Sequence, residues 1–347
     1  MPRSPIDLLQ QDAKRSVPRA LIADLAGKKI LVTGASGLIG THFIASLLDA
    51  RRTLGGALEI HATVREGVPE HLALLSPGNE VTFHAGDVCD TRFLDGLPTF
   101  DIVIHSATYG QPSVFTMQWQ PTIKLNTIAL FSLFERVADR GRLLFLSTSE
   151  VYSGLRGTPF SEDLIGTTSP SHKRACYIEG KRCGETICHN YTARGVTAKI
   201  ARLALAYGPA TRRDDKRVLN TFIQRALCER EIRLLDHGNA RRTYCYVADA
   251  LTMMWNILLC GRQMTYNVGG RDATTIATVA KTIGEVTGVP VIFPSSDSGG
   301  MQDAPEEVQL DLGRYEAEFG AVDLLPLREG IARTVEWQRY VYRGHPA

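Results

Sequence analysis

The chain has 347 residues, 44% hydrophobic and 22% charged, which is enough for one large α/β domain or for a cofactor domain with a smaller cap. Its formal net charge of +2 gives no reason to expect nucleic acid or a membrane surface as a partner. Seven cysteines without a CxxC pair argue against a disulfide framework and against a metal site such as zinc, and they favour a reducing, cytoplasmic setting.

The first 27 residues are predicted to be an N-terminal helical extension. Charged residues interrupt the apolar positions of this segment, so it lacks the apolar core of a signal peptide. We predict one or two short helices over residues 6–27. No later segment approaches the ~20 consecutive apolar residues of a membrane span.

Short apolar runs alternate with helical patterns between residues 28 and 203. The runs are "KKILVTG", "LEIHATV", "EVTFHAG", "FDIVIHSA" and "RLLFLSTS". Stretches such as "GTHFIASLLDARR" and "NTIALFSLFERVAD" are predicted to form helices between them. This alternation, with continuous apolar strands, predicts an α/β fold with a doubly wound parallel sheet that is covered on both faces.

The pattern changes after residue 203. A charged loop, "YGPATRRDDKRVLN", precedes a predicted helix, "TFIQRALCER", and "RTYCYVADALTMMWNILLCG" is typical of a return to the main domain. The end of the chain predicts a smaller mixed lobe with "DSGGMQDAPEE" as an exposed loop. We therefore predict a main domain over residues 28–203, with 243–268 returning to it, and a second lobe formed by 204–242 and 269–347.

A glycine-rich turn follows the first predicted strand. The segment "ILVTGASGLIGTHF" places Gly34, Gly37 and Gly40, with Leu38 and Ile39 between them, at the head of a helix. Glycines there permit a tight turn and let the backbone approach a pyrophosphate, which meets the partial positive charge of the helix N-terminus. This context predicts a Rossmann-type dinucleotide site rather than a turn built for packing alone.

Residues after the second and third strands bear on the cofactor. Asp87, followed by Val88, could accept a hydrogen bond from an adenine amino group, or it could cap a turn. The ribose-binding acid of an NAD site is expected after the second strand, where the chain has Arg65 instead. An arginine at this edge can pair with a 2′-phosphate and favour NADP, or be solvated beside Glu66. NAD and NADP therefore both stay open.

Tyr177 and Lys181 have the i, i+4 spacing that places two side chains on one helix face. An ammonium beside a phenol favours the phenolate and lowers the phenol pKa. Tyr177 could then take the proton of a hydroxyl while the adjacent carbon gives up a hydride. Thr148 ends the predicted strand "LLFLSTS", at the edge where open α/β sheets bind ligands.

The motifs "TGASGLIG", "STSEVY" and "YIEGK" together resemble the extended short-chain dehydrogenase/reductases, a family of nucleotide-sugar epimerases, dehydratases and decarboxylases. The resemblance runs from residue 28 to about residue 335. It implies bound NAD, with contacts from Ala107 and Asn126 in addition to the glycine-rich turn, Tyr177 and Lys181. It also implies that the smaller lobe binds a nucleotide sugar.

Within this family, "STSEVYS", "CYIEGKR" and "ARRTYCYV" are most similar to segments of the UDP-glucuronate decarboxylases. That likeness implies that Tyr177 is the base for oxidation at sugar C4 and that Thr148 holds the 4-oxygen. Ser149, Glu150 and Arg242 would surround C5 and C6, where a β-keto acid loses carbon dioxide. The ketone would then be reduced again, with no net redox change.

Other reactions stay open at this point. A 4-epimerase, a 4,6-dehydratase or a C4 oxidoreductase on another nucleotide sugar would use the same C4 chemistry. GDP-mannose 4,6-dehydratases share the Thr-Ser-Glu triplet and NADP-binding arginines, whereas Ser149 replaces the Asp of dTDP-glucose dehydratases. An NADP-dependent carbonyl reductase and a non-catalytic cofactor-binding protein are further alternatives.

Two departures from the family pattern fall near the expected substrate diphosphate. Leu205 replaces an asparagine, and Glu307 and Val308 replace basic residues, so polar anchors are lost unless other residues supply them. Arg217 could supply one contact, or it could belong to a solvated loop. The resemblance also implies a homodimer through "QPTIKLNTIALFSLFERVAD" and the helix of Tyr177, although these apolar faces could equally be core.

Overall fold

The computed structural model describes residues 4–295 and 307–343, so nearly all of the predicted loop "DSGGMQDAPEE" lies outside the described residues. The strands are β1 (Lys29–Thr33), β2 (Glu59–Val64), β3 (Val81–Ala85), β4 (Phe100–His105), β5 (Val137–Thr148), β6 (Thr197–Leu203), β7 (Leu205–Tyr207), β8 (Ile232–Arg233), β9 (Arg241–Tyr246), β10 (Thr265–Val268), β11 (Ala273–Thr275), β12 (Val291–Ile292) and β13 (Glu307–Val308). The α-helices are α1 (Pro5–Ser16), α2 (Leu38–Thr53), α3 (Glu70–Leu75), α4 (Thr91–Asp95), α5 (Pro112–Met117), α6 (Trp119–Asn126), α7 (Ile128–Phe134), α8 (Ala175–Ala193), α9 (Val218–Cys228), α10 (Val247–Cys260), α11 (Ile276–Thr287), α12 (Gly313–Phe319) and α13 (Leu327–Val341). Two 3₁₀ helices cover Arg19–Leu25 and Ser149–Tyr152. Within the described part of the chain, no helix is both long and apolar enough to cross a membrane.

A seven-stranded parallel sheet in the order β10–β6–β5–β4–β1–β2–β3 forms the centre of the main domain. In β1, Ile30 and Val32 belong to one apolar core and Leu31 belongs to the core on the opposite face. Because both faces are covered, the strands read as continuous apolar runs. Helices α2 and α10 pack on one side, and α7 and α8 pack on the other. The predicted α/β, Rossmann-type doubly wound sheet is confirmed.

Strand β9 organises the smaller lobe. It pairs in parallel with β7 and β13 and antiparallel with β11. Strands β8 and β12 form a separate two-stranded sheet. The predicted return segment is divided, since β9 lies in this second sheet whereas β10 joins the main sheet. The exact division into two domains stays a prediction.

The predicted helix over "NTIALFSLFERVAD" is wrong at its C-terminal end. Helix α7 ends at Phe134, and residues 137–139 instead begin β5. The Arg136 carbonyl accepts a hydrogen bond from the Phe100 amide at 2.8 Å, and Val137 lies in register with Phe100. Pairing with β4 therefore satisfies this backbone and overrides the weak helical preference of the local sequence.

The N-terminal extension packs into the fold. Leu8 and Leu9 are fully buried, and α1 lies against α2 and α10 of the main domain and against α13. The carboxylate of Asp12 accepts hydrogen bonds from the Tyr246 hydroxyl and from Arg333 Nη2, both at 2.7 Å. Because Tyr246 ends β9 and Arg333 lies in α13, Asp12 joins the extension to the smaller lobe.

Removing the Asp12 carboxylate should destabilise the whole chain. We expect Asp12→Ala to lower the free energy of unfolding by about 3–5 kcal/mol, because it leaves the largely buried Arg333 guanidinium without its carboxylate. Denaturant titration followed by circular dichroism measures the change. Lys14→Ala, exposed on the same helix, is the control and should lie within about 0.5 kcal/mol of wild type. An Asp12→Ala protein as stable as this control would contradict the bridging role.

Candidate active site

The glycine-rich turn lies where backbone segments approach too closely for side chains. Gly34 has φ +69°, and a Cβ atom built there would lie 2.7 Å from Ala107 Cα. A Cβ on Gly40 would lie 2.2 Å from the Gly34 carbonyl oxygen, and Gly37 is the N-cap of α2. The backbone around the N-terminus of α2 therefore has no side chain at three positions, Gly34, Gly37 and Gly40, and this turn fits the pyrophosphate of a dinucleotide.

Arg65 and Asp87 lie within electrostatic range of each other after β2 and β3. Arg65 Nη1 donates to the Tyr109 hydroxyl at 2.8 Å, and the charges of Tyr109 and Asp87 raise the pKa of this guanidinium. The Asp87 carboxylate accepts a hydrogen bond from the Cys89 amide at 2.9 Å, and Val88 between them is buried. Asp87 therefore caps a turn, and Arg65 contacts a neighbouring side chain.

Helix α8 carries Tyr177 and Lys181 on its buried face. Tyr177 stacks on Phe115, with ring centroids 4.5 Å apart and planes inclined by 6°, and its hydroxyl lies close enough to the Thr148 hydroxyl for Thr148 to lower the Tyr177 pKa. Lys181 is 1% exposed, and its ammonium donates to the Leu146 carbonyl. The ammonium lies 5.9 Å from the centre of the Tyr177 ring. The predicted tyrosine, lysine and threonine thus meet at the end of β5.

Asn126 is fully buried where α6 packs against α8, next to Gly180. Its Nδ2 donates to the Thr122 carbonyl at 2.7 Å, whereas its Oδ1 has no hydrogen-bond partner among the described residues. A buried acceptor left open in this way calls for a further donor, because such groups are otherwise costly. A polar group bound beside α8 would satisfy it, which fits the predicted cofactor contact.

Burial gives Tyr177 and Lys181 pKa values that differ from those predicted from their i, i+4 spacing. Burial raises the pKa of Tyr177 to about 12, and the charge of Glu150 adds to the rise. Burial also lowers the pKa of Lys181 to about 7, an effect opposed by Glu185. The Tyr177 pKa is therefore raised, and not lowered as predicted from the neighbouring Lys181, because the loss of solvation outweighs the opposing effects of Thr148, Arg174 and Arg217.

A buried polar network fastens α8 to the sheet behind the tyrosine–lysine pair. Glu185 accepts a hydrogen bond from the Ser147 hydroxyl at 2.5 Å, and it accepts two from Arg202 at 2.7 and 3.0 Å. Arg202 also donates to the Tyr152 hydroxyl at 2.9 Å, and that hydroxyl donates to Asn267 at 2.7 Å. The network joins α8 to β5, β6 and β10, and it holds the carboxyl end of β5 against the helix.

Glu150 lies in the 3₁₀ helix directly after β5 and is paired with Arg174. Arg174 Nη2 donates to Glu150 Oε1, and the two side chains are 20% and 21% exposed. Burial raises the pKa of Glu150, and the Arg174 guanidinium opposes this rise. Both members of the pair lie within electrostatic range of Tyr177.

Arg217 is the N-cap of α9 and lies near the same region. It pairs with Asp215 at 2.6 Å and donates to the Ala206 carbonyl at 3.3 Å. It also lies within electrostatic range of the Tyr177 and Tyr244 phenols. Arg217 is therefore paired with Asp215 close to the candidate site, and its contact with a substrate stays a prediction.

Strand β9 carries Arg242 and Tyr244 and pairs with the strands of Leu205 and Val308, the residues that depart from the family pattern. Leu205 lies in register with Tyr244, and Val308 lies in register with Arg242. Burial lowers the pKa of Arg242, which is within electrostatic range of Tyr244 and Arg174. Apolar side chains thus flank β9 on this side, and arginines supply the positive charge nearby.

The structure gathers the predicted catalytic residues into one region, with Ser149 half-buried between Thr148 and Glu150. Arg65 and Asp87 lie apart from them, after β2 and β3.

Sequence reasoning missed Phe115 and Arg174. The signal for Arg174 was its position in "RACY", three residues before the tyrosine, which is about one helical turn.

Known proteins agree with this architecture. The model of the NAD dependent epimerase/dehydratase family matches residues 30–269. UDP-glucuronic acid decarboxylase 1 of Xenopus tropicalis is 28% identical over 327 residues, covering 93% of this chain and 75% of that protein. UDP-glucuronic acid decarboxylase 6 of Arabidopsis thaliana is 29% identical over 309 residues, covering 87% and 86%.

A solved structure shows the same fold. UDP-glucuronic acid 4-epimerase from Bacillus cereus, in complex with UDP-glucuronic acid and NAD, aligns with a TM-score of 0.73 at 22% identity. The alignment covers 90% of this chain and 100% of that one. The chain belongs to the NAD dependent epimerase/dehydratase family, which is a family of enzymes.

Proposed function

We propose that the protein converts UDP-glucuronate to UDP-xylose by oxidising sugar C4 with bound NAD and releasing C6 as carbon dioxide. The observation that carries this proposal is the meeting of Thr148, Tyr177 and the Glu150–Arg174 pair at one strand end. The extended similarity to UDP-glucuronic acid decarboxylases from two organisms supports the same reaction.

Tyr177 is the proposed base at C4. As the phenolate, which the nearby Arg174 and Arg217 charges favour, Tyr177 takes the proton of the C4 hydroxyl and becomes the neutral phenol. The nicotinamide, when bound, accepts the C4 hydride and later returns it. The high pKa of the buried phenol lets Tyr177 hold this proton until the C4 ketone is reduced and the C4 oxygen takes it back.

The proposed carbon–carbon cleavage needs little further chemistry from the chain. A ketone at C4 makes the substrate a β-keto acid, so the C5–C6 bond breaks and its electron pair passes into the carbonyl. Carbon dioxide leaves, and the enolate takes a proton at C5. We assign Ser149, Glu150 and Arg242 to this end of the sugar, and Arg217 to the substrate's diphosphate side.

NAD is the proposed cofactor, bound by the glycine-rich turn with Leu38 and Ile39, by Ala107, Asn126 and Val88, and by Tyr177 and Lys181. The structurally similar epimerase was solved with NAD, which supports this choice. Arg65 donates to Tyr109 and lies within range of the Asp87 carboxylate, whose charge would repel a 2′-phosphate. The arginine alone is therefore weak support for NADP.

A second candidate is 4-epimerisation or 4,6-dehydration of another nucleotide sugar. Leu205 and Val308 support a substrate other than UDP-glucuronate, because they replace polar anchors that the family pattern places near the substrate diphosphate. The residues proposed for C4 oxidation serve all of these reactions, so the product decides between them.

We further propose that two copies associate through α6 and α7. Large apolar side chains on and beside these helices are exposed, namely Met117, Trp119, Ile123, Ile128 and Phe131. A patch of this kind is typical of a protein interface, and the family resemblance points to a second copy of the chain. A cytoplasmic location is also proposed, and it is supported by seven cysteines that are all free thiols.

The function is tested by incubating the purified protein with UDP-glucuronate, without added cofactor, and identifying the product by mass spectrometry. We expect loss of carbon dioxide, and we expect Tyr177→Phe to lower kcat by about 10²–10⁴-fold because the base is removed. Tyr191→Phe removes a hydroxyl from the distal end of α8 and is the matched control. An unchanged UDP-glucuronate, together with conversion of a neutral nucleotide hexose, would overturn the substrate assignment in favour of the second candidate.

The proposed dimer is tested by sedimentation velocity. We expect wild type to sediment as a dimer and Phe131→Asp to sediment as a monomer, because a carboxylate would be buried in the interface. Leu74→Asp changes an exposed leucine on α3, away from the patch, and should leave the dimer intact. A monomeric wild type at micromolar concentration would contradict the proposal.

A further inference from the structure

We infer that Arg174 is a positioning residue that holds Glu150 in its charged form, with one carboxylate oxygen directed to the substrate. This inference rests on the proposed function, because it assigns a role at the sugar end of the same site. It adds an arginine from the head of α8, outside the motifs "STSEVY" and "YIEGK", to the residues on which turnover depends.

The Glu150–Arg174 contact is incomplete on both sides. One nitrogen of Arg174, Nη2, meets one oxygen of Glu150, Oε1. Glu150 Oε2 and Arg174 Nε are both buried and have no hydrogen-bond partner among the described residues. In a bidentate arginine–carboxylate pair, two guanidinium nitrogens would each donate to a different carboxylate oxygen. The geometry therefore leaves a buried carboxylate oxygen as an acceptor for a hydroxyl that enters the site.

The position of Arg174 suits this role. It is the N-cap of α8. Its backbone is held by two hydrogen bonds: the Arg174 amide donates to His172 Nδ1 at 3.2 Å, and the Arg174 carbonyl accepts from the Tyr177 amide at 3.1 Å. Its guanidinium lies 5.8 Å from the centre of the Phe115 ring, on which Tyr177 stacks. Arg174 thus ties the Glu150 turn to the helix that carries the proposed base.

The charges around the pair determine the direction of the effect. Besides Arg174, the titratable groups in range are Tyr177 from α8, which interacts with Glu150, and Arg242 from β9, which interacts with Arg174. Burial raises the pKa of Glu150, and Arg174 opposes that rise. Removing Arg174 must therefore raise the Glu150 pKa further. If activity needs the Glu150 carboxylate, the loss of activity on acidification should begin at a higher pH in the variant than in wild type.

The pH dependence of kcat/KM for UDP-glucuronate tests this inference. In Arg174→Met the acidic limb should move to higher pH by about 1–3 units, the usual effect of losing a close opposite charge. Arg174→Lys, which keeps the charge, should return the limb toward wild type. Arg182→Met is the matched control, since Arg182 also ties α8 to this turn, by donating to the Val151 carbonyl at 2.8 Å. It should leave the limb in place even if kcat falls.

A second measurement does not require turnover. Infrared difference spectra of ¹³C-glutamate-labelled protein, with Glu150→Gln used to assign the signal, follow protonation of Glu150 directly. We expect Glu150 to protonate at higher pH in Arg174→Met than in wild type or Arg182→Met. An unchanged titration in Arg174→Met would overturn the inference. Failure of wild type to consume UDP-glucuronate, with the infrared shift present, would instead overturn only the proposed reaction.

Discussion

The candidate active site depends on the removal of water from the Tyr177 phenol and the Lys181 ammonium, which lie one helical turn apart on α8. Burial by itself drives both groups toward their neutral forms, with the Tyr177 pKa raised to about 12 and the Lys181 pKa lowered to about 7. Neighbouring groups oppose these shifts. Glu185 favours the Lys181 ammonium, and Thr148 and Arg174 favour the Tyr177 phenolate. Packing around α8 therefore controls the protonation of Tyr177 and Lys181 as well as their positions.

The same packing explains why polar groups occur so deep in this fold. Glu185 and Arg202 are both largely buried, yet each is satisfied, because their contacts span α8, β5 and β6 and reach Tyr152. A fully bonded network of this kind is rigid, whereas a partly bonded one is costly. The pair of Glu150 and Arg174 is the partly bonded case, and we propose that a substrate hydroxyl completes it.

The sequence predicted the parts of the molecule that depend on local pattern. The strands of the main sheet, the glycine-rich turn and the spacing of Tyr177 and Lys181 all have short-range signatures. The start of β5 was missed, because pairing of Val137 with Phe100 overrides helical propensity. The Tyr177 pKa was predicted in the wrong direction because burial depends on Phe115, more than sixty residues away. Arg174 was missed for a similar reason, since its partner lies in another segment.

Leu205 and Val308, two departures from the expected family pattern, lie in the second sheet beside β9. Apolar Leu205 and Val308 border β9, while Arg217 and Arg242 bring positive charge to the same region. The extension at the N-terminus is coupled to the smaller lobe through Asp12, Tyr246 and Arg333. The residues proposed for C4 oxidation thus lie on β5 and α8, whereas Leu205, Val308 and Arg242 lie on the strands of the second sheet.

Turnover of UDP-glucuronate in D₂O, followed by proton NMR, tests the central claim most directly. If a C4 ketone allows carbon dioxide to leave and the enolate is then protonated, the product is UDP-xylose with one deuterium at C5. The reaction should proceed without added cofactor, because the hydride returns to the carbon it left. Formation of a C4-inverted uronate that keeps its carboxylate would contradict decarboxylation, while leaving C4 oxidation by the Tyr177 site as the shared step.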